Sequence, residues 1–491
     1  MISKDIVLQT IVIPKEQCEY KELYYRLKGL GTINDGCLIL QKKAILSTLT
    51  YMNSFDSWAW NKYTGIDRWK LALSVLGRFV LRLYHWEDGK KIVIEKEIIA
   101  KSRESVSIDF KQLQNSNLIF FEIEALETTY VYKAEYRAEI TNREVEPVHL
   151  SLLICTYKRK KELKKSLAVF NNSKFLDKNS PYYGGASLRI IDNASELPII
   201  QKEFIKLYHN PNTGGSGGFT RGIIESRKDE STYGISHVVF MDDDAVVEEE
   251  SFYRLYALLS LLKPCYQNEV VAGRMFDLNK GYMQYTASEV WNKGDIRHVG
   301  FKRDMRKIKE LSWMNRSLGQ YSGWWFACYP MSFVREETPL PFFLHCDDVE
   351  YGLRHGGTPI VLNGIQVWHE TYENRRTPFI SYYDTRNTMI VNTIYYQYQS
   401  EDEILIKWYL NLIYAWRGKE YYKMYPSLIA LKDYLKGREH FMMEASKKEG
   451  LSLPPSIGMT IAIFMGVVQF PIFRYKLRKA FLSYKEINKN I

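Results

Sequence analysis

Apolar and polar residues are arranged along this chain in three successive styles. Up to about residue 145 the apolar positions come in short runs closed by turn residues. "WKLALSVLGRFVLRLYHW" (Trp69 to Trp86) is rich in valine, leucine and aromatics. "EDGKKIVIEKEII" sets an Asp-Gly turn between two such runs, and "NLIFFEIEAL" and "TYVYKAEYRAEI" continue the series. Residues of this kind fit a pleated, half-buried surface, and a run that alternates buries one face. The spacing predicts a β-sandwich over residues 1–145.

From Val148 the style changes to strand, polar loop, helix. "VHLSLLICTYKR", "ASLRIIDNAS", "HVVFMDDD" and "NEVVAGRMF" are apolar runs that end in polar loops, while "FTRGIIESRKDES" and "EEESFYRLYALLSLL" carry helical potential between them. This alternation predicts an α/β region with a mainly parallel sheet over residues 146–400, in which ligands bind beyond the carboxyl ends of the strands. After residue 400 the pattern is helical. "SEDEILIKWYLNLIYAWRGK" has a serine N-cap candidate, acids in its first turn and a glycine near its end, and "PSLIALKDYLKG" repeats that grammar.

The helical region, residues 401–491, contains a stretch from Leu451 to Phe473 without a single charge. Pro454, Pro455, Gln469 and Pro471 interrupt it, leaving less than the roughly 20 apolar residues a spanning helix needs. Arg474, Lys476, Arg478, Lys479, Lys485 and Lys489 follow, with only Glu486 opposing them. Basic residues beside an apolar segment suit attachment to an anionic membrane surface without a span, the alternative being a buried core helix.

Composition sharpens this picture. An apolar content of 46% over 491 residues is that of a globular chain with room for two or three cores. The net charge of +10 suits an anionic partner, but no nucleic-acid recognition motif accompanies it. The 36 tyrosines and 11 tryptophans offer flat faces with polar tips, as sugar and nucleotide sites do and as ordinary cores also do. Six scattered cysteines without metal-ligand spacing, and an N-terminus with charge inside its apolar run, read as a reduced cytoplasmic protein without a secretory signal.

Five segments could carry chemistry. "FMDDD" puts Asp242, Asp243 and Asp244 at a strand end, ahead of Glu248, Glu249 and Glu250, which already complement the next helix dipole. Alternate residues of an extended segment share a side, so Asp242 and Asp244 can cooperate on a hard divalent cation while Asp243 faces elsewhere. "NPNTGGSGGFTRG" is a glycine-rich loop ahead of a helix; it fits neither dinucleotide nor P-loop patterns, and a plain flexible entry is the alternative. "FFLHCDDVEYGLR" offers Asp347 and Asp348 either as a helix N-cap or as an acid pair in which one member serves as a base near neutral pH. In "IQVWHETYENRR", His369 is a structural histidine or a metal ligand, and in "YSGWWFACYP" Trp324 and Trp325 are core or a platform for a sugar ring.

Taken in order, "CTYKR", "IDNAS", "NPNTGGSGGF", "FMDDD", "SGWWFACYP", "LPFFLHCDDVEYGLR", "VWHE" and "YDTRNTMIV" resemble the family 2 glycosyltransferases of GT-A fold, and within them the galactofuranosyltransferases of bacterial cell-surface galactan. The resemblance covers roughly residues 150–395 and extends more loosely to both ends. It implies UDP-galactofuranose as donor, with Mn²⁺ or Mg²⁺ held by Asp242, Asp244 and His369. It implies Asp348 as catalytic base. Asp347, Glu289, Trp324 and Trp325 would lie at the acceptor, and Tyr157, Arg159, Asp192 and Asn212 at the nucleotide. The acceptor would be a glycan, lipid-linked, at the inner face of the cell membrane, and the family allows a homo-oligomer. Two departures stand out: Tyr-Lys-Arg at 157–159, where those enzymes usually have Phe-Asn-Arg, and a shorter loop between Arg354 and Thr358. The rival expectations are the same fold with another donor, such as dTDP-rhamnose or a UDP-pyranose, and a non-catalytic carbohydrate-binding protein.

Overall fold

The computed structural model describes residues 4–489 apart from 15–19, 67, 87–88, 112–116, 142–143, 312–318, 372–376, 396, 399, 444–447, 449, 452–456, 458–460 and 463–469. Most of the uncharged stretch before Arg474 therefore lies outside the described residues.

The N-terminal region is built on one long hairpin, Arg68–Trp86 paired with Lys90–Lys111. On its other edge, the first half of Arg68–Trp86 pairs with Thr129–Ile140 and the second half with Leu118–Ala125. The changeover falls at Gly77, whose φ of +119° is closed to other residues and where a Cβ would press on the backbone of Thr128 and Thr129. Leu71, Leu73, Val75, Phe79, Leu81 and Leu83 are buried on one side throughout, so the alternation in the sequence sets the inward face. The expected sandwich is not two separate sheets: all nine strands are hydrogen-bonded into one through this hairpin.

The second sheet has ten strands, numbered here within it: β1 (Leu150–Thr156), β2 (Ala186–Asp192), β3 (Ile205–His209), β4 (His237–Asp242), β5 (Val246–Val247), β6 (Val271–Asp277), β7 (Met283–Thr286), β8 (Arg303–Asp304), β9 (Ala327–Pro330) and β10 (Ile360–His369). The spatial order begins β3-β2-β1-β4, all parallel. This order reverses direction between β1 and β4, where open α/β sheets bind ligands. Beyond β4 the sheet is mixed, which corrects the mainly parallel expectation. Strand β9 lies antiparallel to both β4 and β6. Strand β10 then runs parallel to β6 and antiparallel to β5.

Helices α1 (Lys160–Asn171), α2 (Gly214–Tyr233), α3 (Glu249–Ser260) and α4 (Asp347–His355) flank this sheet. The N-terminal and central regions share one apolar core running from Leu8 to Val367. Polar groups lock the same seam. The Arg254 guanidinium, fully buried, donates to the carbonyls of Thr10, Met52 and Asn363 and pairs with Glu250, and Glu250 accepts from the Thr10 amide at 2.6 Å.

The C-terminal helices α5 (Pro378–Ile394), α6 (Glu401–Arg417), α7 (Met424–Tyr434) and α8 (Phe470–Lys489) form a second core. That core also takes in Phe342, Phe343, Cys346 and Val349, so the loop ahead of α4 is anchored to the helical region. On α8 the buried residues Phe473, Leu477, Ala480, Phe481, Tyr484 and Ile487 recur at helical spacing, while Arg474, Lys476, Arg478 and Lys479 face outward. Within the segment expected to meet a membrane, residues 450–491, the apolar side of α8 is spent on the protein core and its outward side is mainly charged, while most of the uncharged stretch lies outside the described residues.

Candidate active site

Register alone brings the first acids together. Thr156 pairs with Asp192 and Cys155 with Asp242, so the polar ends of β1, β2 and β4 form one rim. The apolar run of β4 ends at Asp242, and the chain turns through Asp243 and Asp244 into β5. Asp243 points inward, accepting from the Thr156 hydroxyl at 2.7 Å, as alternation along the strand requires. Burial pushes its carboxyl up to about 6.

Asp242 and Asp244 meet His369 at the end of β10. His369 Nε2 lies 3.3 Å from Asp242 Oδ2 and 3.0 Å from Asp244 Oδ1, and the three ligand atoms fall within 4.8 Å of one another. The imidazole is buried, and its Nδ1–H donates to the Glu370 carbonyl at 2.8 Å, an arrangement that turns Nε2 toward the carboxylates. Burial alone would lower the histidine's pKa. Hydrogen bonds and charge from Asp242 and Asp244 outweigh it and push the group up to about 10. The two acids thus favour positive charge at this corner, whether a proton on the ring or a bound cation. Two carboxylate oxygens and one imidazole nitrogen are a donor set that fits Mn²⁺ or Mg²⁺. Arg159 adds further charge, pairing with Asp244 at 2.5 Å and Asp243 at 3.3 Å. A cavity of about 450 Å³ opens beside these groups, lined by Arg159, Lys165, Asp243, Asp244 and Glu370 among others.

A second acid pair stands nearby. Asp347 and Asp348 are the first two residues of α4, behind the left-handed N-cap Cys346, so neither is itself the cap. Asp347 is buried and Asp348 half-buried. Burial raises both carboxyls, and their mutual repulsion raises Asp348 further, with Glu289 adding to it. Asp242 acts in turn on Asp347, so the two clusters lie within electrostatic reach of each other. Glu289, on the hairpin Ser288–Asn292 and Asp295–Val299, is buried with both oxygens on His298 Nδ1, at 2.9 and 2.7 Å.

The remaining expected residues take varied places. Tyr157 presents an exposed ring just past β1. Asp192 sits on the rim, but its oxygens accept three backbone N–H groups, from Ala194, Glu196 and Leu197. The Asn212 side chain accepts from Gly214 N at 3.3 Å. Trp324 and Trp325 are only 5% and 3% exposed. Trp324 stacks on Phe240, and Trp325 donates to the Gly273 carbonyl, so the bulk of both rings is core. The glycine-rich segment is not a loop ahead of a helix, as the spacing had suggested, but the first turns of α2 itself. Its glycines permit close packing: a Cβ on Gly214 would overlap the Phe343 carbonyl, and one on Gly218 the Cys155 sulfur.

Several residues at the rim were missed in the sequence. Asn193 donates to the Gly214 carbonyl at 2.8 Å and accepts from Asn210, tying β2 to the start of α2. His298 and Thr156 partner acids that were recognised only singly. A polar residue immediately after a strand end is the one signal that could have marked Asn193.

Two family descriptions match the chain: "Galactofuranosyltransferase 2 N-terminal" over residues 8–139 and "Glycosyl transferase family 2" over residues 151–316. Among curated proteins, the chain is 23% identical over 392 residues to "Galactofuranosyltransferase GlfT2" of Mycolicibacterium smegmatis, covering 72% of this chain and 58% of that one. It is 21% identical over 426 residues to the protein of the same name from Mycobacterium tuberculosis, covering 80% and 66%. The chain thus spans less than two thirds of the length of these relatives. Among solved structures, one described as "CBM4 structure and function" covers 26% of the chain at 6% identity with a TM-score of 0.19, too slight to bear on the fold.

Proposed function

The chain belongs to the family 2 glycosyltransferases, of the galactofuranosyltransferase kind, and from that premise we propose that it transfers galactofuranose from UDP-galactofuranose to a growing cell-surface polysaccharide, inverting the anomeric carbon with the aid of a divalent cation. The observation that carries this reading is the cluster of Asp242, Asp244 and His369 within electrostatic reach of the raised carboxyl pair Asp347–Asp348. A protein that only binds glycans needs neither.

In this reading Asp242, Asp244 and His369 hold the ion, Mn²⁺ or Mg²⁺, which when bound supplies positive charge to a departing diphosphate. Asp348 takes the proton of an acceptor hydroxyl. That oxygen forms the new bond to the anomeric carbon from the face opposite UDP, while the carbon–oxygen bond to the diphosphate breaks and its electron pair leaves with UDP. A single displacement of this kind inverts configuration and needs no sugar–enzyme bond. Tyr157, Arg159, Asp192 and Asn212 are assigned to the nucleotide. Asp347 and Glu289 are assigned to the acceptor, with Trp324 and Trp325 as packing behind them. The division into regions 1–145, 146–400 and 401–491, and a homo-oligomeric state, belong to the same proposal. Incubation with UDP-galactofuranose and a panel of lipid-linked glycans, followed by mass spectrometry, tests it. The acceptor should gain one sugar mass per transfer. Transfer from dTDP-rhamnose or a UDP-pyranose instead would change the donor, and glycan binding without any transfer would end the enzymatic reading.

We also place the protein on the inner face of an anionic membrane. No helix among the described residues is long and apolar enough to cross one. On α6, however, Ile406, Leu410, Ile413, Tyr414 and Trp416 are exposed, and α8 turns Arg474, Lys476, Arg478 and Lys479 outward. Flotation with anionic vesicles should recover the protein and should weaken with salt. Equal recovery with neutral vesicles would defeat this placement.

A further inference from the structure

The segment leading into Asp347 has an unusual backbone. Phe343, His345 and Cys346 have φ of +70°, +64° and +63°, the left-handed region that residues with a Cβ avoid. Such a conformation persists only where the surroundings impose it. Here the surroundings are the start of α2 and the middle of α5. On one side, the Phe343 amide donates to Ser216 Oγ at 2.9 Å, and its carbonyl lies against Gly214 in α2. On the other side stands the "DTRN" segment of α5.

Asn387, on α5, is fully buried. Its Nδ2 donates to the carbonyls of Leu344 at 2.7 Å and His345 at 2.8 Å, and lies 3.3 Å from that of Phe342. Its Oδ1 accepts from Arg386 Nε at 2.9 Å, which fixes which way the amide faces. Arg386 Nη2 donates to the Phe342 carbonyl at 2.9 Å, and its guanidinium stands over the rings of Tyr382 and Tyr383. Asp384 takes His345 Nδ1 at 2.7 Å. The two N–H groups of one side chain therefore satisfy the carbonyls of Leu344 and His345, and Arg386 satisfies that of Phe342 just ahead of them. No other residue type of similar size supplies two donors toward a backbone and an acceptor toward a guanidinium.

We propose that Asn387, oriented by Arg386, is a positioning residue for the reaction: it imposes the left-handed backbone at 343–346 that presents Asp347 and Asp348 as the opening residues of α4. Asn387 touches neither acid in this role. It acts through the carbonyls of Leu344 and His345, with Arg386 on that of Phe342, and without it the segment relaxes toward ordinary φ values and turns the acid pair away from the rim. The activity part of this inference rests on the reading of Asp348 as base; the backbone part does not.

Three variants test it: Asn387→Ala, Cys346→Gly and the two combined. Asn387→Ala should lower kcat by at least about tenfold, with the KM for UDP-galactofuranose changed by less than about twofold. Cys346→Gly alone should stay near wild type. The double variant should regain most of the loss, because glycine adopts positive φ without a Cβ clash. A general packing defect would not be relieved by glycine at a neighbouring segment. Hydrogen–deuterium exchange without substrate gives a second readout: Asn387→Ala should speed exchange at 343–349 and leave β4 and β10 unchanged. If Asn387→Ala does not fold, Asn387→Asp serves in its place, since it keeps the shape and loses both donors. Wild-type kcat in the asparagine variants, or a loss that glycine leaves untouched with exchange unaltered, overturns the proposal. A wild-type protein inactive toward UDP-galactofuranose would sink the functional reading instead, and exchange would still decide this one.

Discussion

Val246 pairs with Trp368 across a two-residue antiparallel ladder, and this pairing sets Asp244 beside His369. The ladder continues into β6, where Asp277 is paired in parallel with His369. The two halves of the candidate metal site, more than a hundred residues apart in the chain, are thus fixed by backbone hydrogen bonds and not by loop packing alone.

Asp242→Ala or Asp244→Ala should abolish turnover while leaving the fold intact, and His369→Ala should weaken cation binding. Mn²⁺ should raise the melting temperature of the wild type but not of the aspartate variants. Saturation at about a hundred times Kd corresponds to roughly 2.7 kcal/mol of stabilisation. Full activity in excess chelator would refute a metal role.

Asp348→Asn should lose transfer by more than about a hundredfold and keep UDP affinity, since a base acts only on the acceptor's proton. In the wild type, kcat/KM should rise with pH along a limb centred above the ordinary carboxylate range near 4, because burial and Asp347 raise this carboxyl and only its ionised form accepts a proton. Near-normal turnover in Asp348→Asn would move the role to Asp347.

Stability should fall with rising pH over the same span. A carboxyl whose folded-state pKa is raised binds its proton more tightly when folded. Its contribution is therefore complete below about 4 and lost as pH climbs through the folded value. For Asp243 that value is about 6. Thermal melts of the metal-free protein should show this decline, and Asp348→Asn should flatten it. A wild-type melting temperature that stays level from pH 4 to pH 8 would contradict the assignment.

Trp324→Ala should cost about 3–5 kcal/mol of stability, the usual range for truncating a buried tryptophan. The ring stacks on Phe240 and meets Phe219 and Tyr351 edge-on, so the cost comes from lost packing. Denaturant unfolding measures it. A variant of unchanged stability with reduced acceptor affinity would place the ring in the acceptor site instead.

What was legible in the chain and what was not follow one physical division. Strands β1, β2 and β4 were visible because central parallel strands read as nearly continuous apolar runs, and the polar residues that close them mark the ligand edge. The antiparallel place of β9 was not visible, since nothing within "FACYP" depends on its neighbour's direction. Glycines 214–222 misled because close packing of a helix and a flexible loop use the same residue. Asn387 escaped because a buried asparagine in a helical run carries no local signal; its acceptors, the carbonyls of Leu344 and His345, lie more than forty residues away.

The seam around Arg254 has a consequence for how this protein can be taken apart. A chain beginning at residue 146 would strip that guanidinium of the Thr10 and Met52 carbonyls and deprive Glu250 of its amide donor, leaving charge stranded in a core built for them. The first 145 residues are therefore not a detachable module. An exchange of the catalytic region with that of another protein has to carry the N-terminal partner with it, or rebuild the seam.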